Sequence, residues 1–264
     1  MKYYPEDREF VNENNYYFYC NTNEHLLQGK PAGIAVEFPG LGGGSCLGGT
    51  PEMVPYGGDY AEELASKGIL LAYIFTGPWS WMNDGAVRFA DCVVNALRIR
   101  FGLEKGSPLV STGGSMGGLG SLIFAAKSGL GVTACAAVCP CVDPNASVFC
   151  DNTVPRSFVS TFCAFDMPLR EAIETVSPIA YAGGMPSIPY LILADEKDEL
   201  FPLEQIRSYS DMLLSCGNKV SFMVMENCGH GGFTEKGRRA LTDFVIENGS
   251  CSSAGNGMIP LKNI

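Results

Sequence analysis

The sequence predicts an α/β fold, with a mostly parallel central sheet covered by helices on both faces. Three observations predict it. Apolar strand-like runs alternate with helix-length segments along the chain, the pattern of parallel strands joined by helical crossovers. With 264 residues, 46% of them hydrophobic, the chain can bury one sizeable core, so residues 1–264 read as a single domain. In addition, one stretch, "VSTGGSMGGLGSLIFAAKSG", passes from strand to helix through four glycines clustered around one serine.

In chain order, residues 16–20 (YYFYC) read as an outer strand, paired to residues 9–11 across an Asn-rich turn. Residues 32–40 (AGIAVEFPG) are an interior strand that runs into a glycine loop, "VEFPGLGGGSCLGG". Residues 59–68 form a helix with an Asp cap and a Gly stop, followed by a buried strand at residues 69–75 (ILLAYIF). Residues 85–102 form an amphipathic helix, with Val87, Ala90, Val94, Leu97 and Ile99 on or near one face. The serine strand (108–112) and helix (118–129) come next. Strands follow at residues 132–138, 190–194 and 220–225, and a last helix at 235–249. The tail after residue 249 is polar and is expected to lie along the surface. Residues 140–189 hold only short helical pieces and are a candidate lid or cap.

The glycines around Ser115 have a steric reason. A Gly-x-Ser-x-Gly match is weak by itself in a chain with 32 glycines. A serine on a very sharp strand-to-helix turn, however, brings the residues two positions away against its own backbone, where a Cβ would clash. A hydroxyl is a poor nucleophile at neutral pH and needs a base, which in turn needs an acid to orient it. The chain has two histidines. His25, in a polar segment before the main sheet, reads as a surface residue. His230, in "ENCGHGGFT" directly after a strand, sits where open α/β sheets keep their sites. For the acid, "YLILADEKDELFP" offers Asp198 and Asp195, and Asp143 is a third candidate. Asp198 is preferred because a residue at the strand end itself points less freely toward a neighbouring loop. Backbone N–H groups of Met116, at a helix start, and of Leu41, in the glycine loop, are candidate oxyanion donors.

The order glycine loop, elbow serine, post-strand aspartate, post-strand histidine resembles the α/β-hydrolase family, over residues 32–249. It is similar to small esterases and to the catalytic domains of prolyl-oligopeptidase-type peptidases. "GGSMGG", "EKDELFP" and "GHGG" carry the likeness. The resemblance implies Ser115 as nucleophile, Asp198 as acid and His230 as base, with Leu41 and Met116 as oxyanion donors. The sequence departs from it at Pro39, where many relatives have histidine, and an N-terminal propeller domain like that of the large oligopeptidases is not expected.

The expected activity is therefore hydrolysis of carboxylic esters through an acyl-enzyme, without cofactor or metal. A peptidase of the same chemistry is the alternative, and a non-catalytic binding protein a third reading. A net charge of −10 argues against nucleic acid or an anionic membrane as partner. A polar, acidic N-terminus without a signal-peptide pattern, together with no apolar run of membrane length, points to the cytoplasm. There the 11 cysteines are expected to be free and mostly buried, "CAAVCPC" included. Both tryptophans fall in "TGPWSWMND" after a strand. A W-x-W in an extended loop sends both indoles the same way, so at least one of Trp79 and Trp81 is expected to line the substrate pocket.

Overall fold

The computed structural model describes residues 4–42 and 56–250. The rest of the glycine loop from residue 43 and the tail from residue 251 lie outside the described residues. The strands are β1 (Cys20–Thr22), β2 (Gly33–Phe38), β3 (Ile69–Ile74), β4 (Leu109–Gly114), β5 (Ala134–Val138), β6 (Pro189–Asp195) and β7 (Lys219–Met225). They form a seven-stranded sheet in the order β1-β3-β2-β4-β5-β6-β7. β1 runs antiparallel to β3, and every other neighbouring pair is parallel.

The longer helices are α1 (Asp59–Ser66), α2 (Asp84–Phe101), α3 (Met116–Lys127), α7 (Leu203–Ser215) and α8 (Glu235–Gly249). Helices α1 and α8 cover one face. There Ala35, Leu71, Val110 and Ala134 lie side by side in register and pack under Ala61, Leu64 and Val245. Helices α2, α3 and α7 cover the other face, where Ile34, Val36 and Phe38 meet Val87, Leu97, Leu122 and Ile206. Burying each such aliphatic side chain is worth about 1.5–3 kcal/mol, which is why neighbouring residues of one strand are committed to opposite faces. At Gly33 a Cβ would stand 2.3 Å from the Gly249 carbonyl oxygen, so only glycine lets the end of α8 press on β2.

Most expected elements are present within two residues of their expected ends, with three differences. The N-terminal hairpin does not form: residues 5–9 and 16–18 are 3-10 turns. Asn12 and Asn15 hydrogen-bond to nearby backbone and stabilise turns in place of a ladder. α1 is capped by Gly58 rather than Asp59, which is its first helical residue. α7 was not expected, because Ser210 falls within the buried stripe of Ile206, Tyr209 and Leu213.

Residues 140–189 fold into α4 (Val154–Phe162), α5 (Leu169–Glu174) and α6 (Pro178–Tyr181). Their Phe158, Phe162, Ile173 and Val176 join the main core. Among the described residues, no helix is long and apolar enough to cross a membrane.

Candidate active site

A single residue, Ser115, separates the end of β4 from the start of α3. Its φ of 59° and ψ of −124° are costly for a residue with a Cβ. The turn is held from behind by the Ser115 N–H, which donates to the Val138 carbonyl at 2.9 Å. The flanking glycines are required by contact. A Cβ on Gly113 would lie 2.3 Å from the Gly117 carbonyl oxygen, and one on Gly117 would lie 2.1 Å from that of Phe38. Both are backbone atoms that cannot rotate away.

The loop after β7 brings His230 to the serine. Nε2 of His230 lies 2.8 Å from Ser115 Oγ, and Nδ1 lies 3.0 Å from both carboxylate oxygens of Asp198. The Asp198 side chain is fully buried, and that of His230 is 13% exposed. Burial pushes the Asp198 carboxyl up, but hydrogen bonds from His230 and from the Phe201 and Leu200 N–H groups outweigh it and hold the group below the ordinary aspartate value. With Asp198 ionised, Nδ1 donates to it, which leaves Nε2 free to accept the serine proton. The Phe201 ring meets the imidazole edge-on at 5.1 Å and limits its rotation.

The other candidate acids do different work. Asp195, at the end of β6 and fully buried, accepts the N–H groups of Cys228 and Gly229 at 3.0 Å each, and so ties down the loop that carries His230. Asp143 accepts the Ala146 N–H in a local turn. Glu199 accepts the His230 N–H at 3.3 Å. Cys139 lies beside Asp198, but burial and then the Asp198 charge push its thiol up to about 12, so it stays protonated. His25 is exposed on a 3-10 turn.

The Met116 N–H is the first of α3, where no intrahelical partner exists. The Leu41 loop lies against the serine: a Cβ on Gly40 would be 4.0 Å from that of Ser115. Within that loop the Gly42 N–H is already committed to the Pro78 carbonyl at 2.8 Å.

A cavity of about 430 Å³ opens beside Ser115, between the carboxyl end of the sheet and the N-terminal ends of α1 and α8. Glu37, Tyr60, Tyr73, Phe233 and Arg238 are among its lining residues.

No protein-family model and no curated protein matches the sequence. Solved structures do match in shape. A puromycin hydrolase superposes with a TM-score of 0.65 at 15% identity, over 82% of this chain and 33% of its own. The acylaminoacyl peptidase of Pyrococcus horikoshii gives 0.63 at 20% identity, over 88% and 40%. A thermophilic esterase of the Planctomycetes species Thermogutta terrifontis gives 0.59 at 17% identity, over 90% and 91%. The chain thus spans between a third and two fifths of the length of the puromycin hydrolase and of the acylaminoacyl peptidase.

The chain has the α/β-hydrolase fold.

Within this α/β-hydrolase architecture the pocket expectation is corrected for Trp81. Trp81 is 1% exposed. Its indole stacks on Phe158 at 4.2 Å, and its Nε1 donates to Ser157 Oγ at 2.9 Å. It is a core residue that fastens the loop after β3 to α4. Trp79 is half-buried, its carbonyl accepts the Thr161 hydroxyl, and it is not among the described residues that line the cavity. The W-x-W alternation fails because Trp81 and Met82 take positive φ values of 45° and 50°, so the loop is not extended.

Glu37 was not singled out from sequence, although a signal existed. It is the one charge in the run "AGIAVEFPG", two positions after Ala35 and therefore on the same face. All nine described cysteines are free, five of them buried, Cys135, Cys139 and Cys141 included.

Proposed function

We propose that this protein is a serine hydrolase that cleaves carboxylic esters through an acyl-enzyme. The observation that carries the reading is the 2.8 Å contact of His230 Nε2 with Ser115 Oγ, on an imidazole whose Nδ1 is held at 3.0 Å by a buried aspartate. Ser115 Oγ attacks the ester carbonyl carbon while its proton passes to Nε2. The resulting oxyanion is met by the N–H groups of Leu41 and Met116. Donors of this kind are each worth about 10²–10³ in kcat, because they strengthen as the negative charge develops. Collapse breaks the carbon–oxygen bond, and His230 returns the proton to the departing alcohol. Water, deprotonated by Nε2, then attacks the acyl-enzyme, and the acyl–Oγ bond breaks as His230 returns that proton to Ser115, which releases the acid. Asp198 stabilises the imidazolium in both halves and keeps the tautomer that leaves Nε2 able to accept.

The ester reading takes its support from the Thermogutta terrifontis esterase, which shares the fold at 17% identity. The peptidase reading keeps the same residues and step order, and its support is the puromycin hydrolase and acylaminoacyl peptidase folds.

A fluorophosphonate probe with p-nitrophenyl esters of graded acyl length, run beside aminoacyl and prolyl amides, tests both. Wild type should be labelled at Ser115 and turn over esters faster than amides. Ser115→Ala should lose both labelling and turnover. Labelling that survives the substitution overturns the nucleophile, and amides turned over faster than esters move the conclusion to the peptidase.

A further inference from the structure

Three neighbouring strands present Tyr73, Glu37 and Thr112 side by side, because Glu37 is in register with Tyr73 on β3 and Thr112 on β4. Two residues earlier the same face is wholly apolar, with Ala35, Leu71 and Val110 under α1 and α8. Glu37 therefore puts a carboxylate where the pattern of the sheet calls for another apolar side chain. It does so at the carboxyl end of the strands, in the wall of the cavity that Ser115 also lines.

A carboxylate in such a place is costly unless something offsets it. Among the described residues it receives one side-chain hydrogen bond: the Tyr56 hydroxyl donates to Oε2 at 2.8 Å. Among the described residues Glu37 forms no ion pair. Burial raises its carboxyl above the ordinary value, with only the Tyr56 bond acting against the rise. Arg238 also borders the cavity, but it is exposed on α8 with its guanidinium 5.3 Å from the Phe233 ring, not on Glu37.

A second group in the same wall is also incomplete. Tyr60, from α1, lines the cavity, and its hydroxyl is buried without a hydrogen-bond partner among the described residues. Burial, and then the charge of Glu37, hold its proton on, so the two groups feel one another. The Tyr56 and Tyr73 rings stack nearly parallel, 17° apart, and complete an aromatic surround. Among the described residues the wall thus offers a carboxylate lacking a cation, a hydroxyl oxygen lacking a donor, and aromatic faces.

We propose that this wall is a subsite for a protonated amine carried by the substrate, so that the preferred substrates are esters (or amides) with an ammonium group near the scissile carbonyl. An ammonium group has three N–H donors. Glu37 accepts one, the Tyr60 oxygen accepts a second, and the tyrosine rings attract the charge through their negative faces. A neutral group in the same space leaves the carboxylate uncompensated, and an anionic group is repelled. The net charge of −10 draws cationic ligands toward the protein at longer range. The chemistry rests on the hydrolase reading above, whereas the binding does not depend on it.

Binding is tested in Ser115→Ala, which cannot turn over. n-Butylammonium and its neutral counterpart n-butanol are titrated by calorimetry, with displacement of tyrosine NMR signals as the second readout. The ammonium should bind about 10-fold or more tightly than the alcohol, the scale of a hydrogen bond to a charged group. Adding Glu37→Gln should remove that preference, and adding Tyr60→Phe should reduce it a few-fold. Equal binding of the alcohol, or ammonium binding unmoved by Glu37→Gln, overturns the subsite. With Ser115 intact, the ratio of kcat/KM for an ester bearing a free amine to that for its N-acetylated counterpart should fall about 10-fold or more in Glu37→Gln. Ammonium binding without any hydrolysis by wild type removes the hydrolase reading and leaves the subsite standing. Hydrolysis without ammonium preference does the reverse.

Discussion

Asp198 and Asp195 lie three residues apart and divide two tasks that either could have taken. Asp198 faces Nδ1 of His230 at 3.0 Å, while Asp195 takes the backbone N–H groups of Cys228 and Gly229, on the two residues that lead to that histidine. Asp198 sets the tautomer and Asp195 sets the position.

Asparagine substitutions separate these tasks. Asp198→Asn removes the acceptor that keeps the proton on Nδ1, so kcat should fall by about 10³–10⁴. Asp195→Asn keeps one acceptor oxygen where Asp195 uses two, on the N–H groups of Cys228, Gly229 and Lys197, and turns an NH2 donor on the remainder. It should cost about 1–3 kcal/mol of stability and far less in kcat. Denaturant melts and ester kinetics on both variants check this, and a larger kcat loss in Asp195→Asn would exchange the two roles.

The elbow makes a steric prediction. Gly113→Ala and Gly117→Ala each drive a Cβ to within 2.3 Å of a backbone carbonyl oxygen, and neither should yield folded protein. Gly114→Ala is the control. Its Cβ would meet the Val138 oxygen at 3.7 Å, ordinary contact, so it should fold with a near-native melt. Soluble, cooperatively melting Gly117→Ala would mean that β2 and α3 can separate without loss of the fold.

Trp81→Ala should unfold the protein more easily by about 3–5 kcal/mol, the usual cost of emptying a buried aromatic site. The ratio of kcat/KM between acetyl and aryl-acyl esters should stay constant, because the indole packs on Phe158 and not in the cavity. Trp81→Phe keeps a ring against Phe158 but loses the bond to Ser157 and part of the buried ring volume, so it should cost about 1–3 kcal/mol, less than Trp81→Ala. A changed ester ratio with an unchanged melt would put Trp81 back in the substrate pocket.

What could be read from sequence follows from how local each cause is. The strands β2 to β7 and the helices α1, α2, α3 and α8 were legible, since a parallel sheet buries whole runs such as "ILLAYIF" and these helices end at or beside glycines. The meeting of Ser115, Asp198 and His230 was legible in kind, because each follows a strand and parallel strands deliver such residues to one edge. The side-chain environment of Trp81 was not. It depends on φ values of 45° and 50° at consecutive non-glycine residues, which no spacing rule anticipates, and on an α4 whose packing partner is 76 residues away. Glu37 was visible as a lone charge in a strand, but its meaning depends on Tyr56 and Tyr60, which only the fold brings beside it.

The cation missing from Glu37 should show in the stability of the unliganded protein. A carboxyl whose value is raised in the folded state holds its proton more tightly there than in the unfolded chain. Wild type is therefore favoured at low pH and loses stability as pH rises from the ordinary glutamate value of 4.5 through the higher folded value. Glutamine does not titrate and still accepts from the Tyr56 hydroxyl. Asp198 acts in the opposite sense, its contribution being present above the ordinary aspartate value and lost as pH falls through its lowered one, but it is common to both proteins and cancels in the comparison. Tyr60 keeps its proton throughout this range, and Arg238 borders the cavity without a bond to Glu37. Glu37→Gln should thus melt about 2–4 °C above wild type at pH 7–8, the shift that ~1 kcal/mol makes in a chain of this size. Below pH 4.5 the two melting temperatures should converge. Saturating n-butylammonium should also raise the melting temperature of wild type at pH 7–8 and leave that of Glu37→Gln unchanged. A variant that melts below wild type at pH 8 would mean that Glu37 already has a cationic partner within the protein, and the ammonium subsite would fall with it.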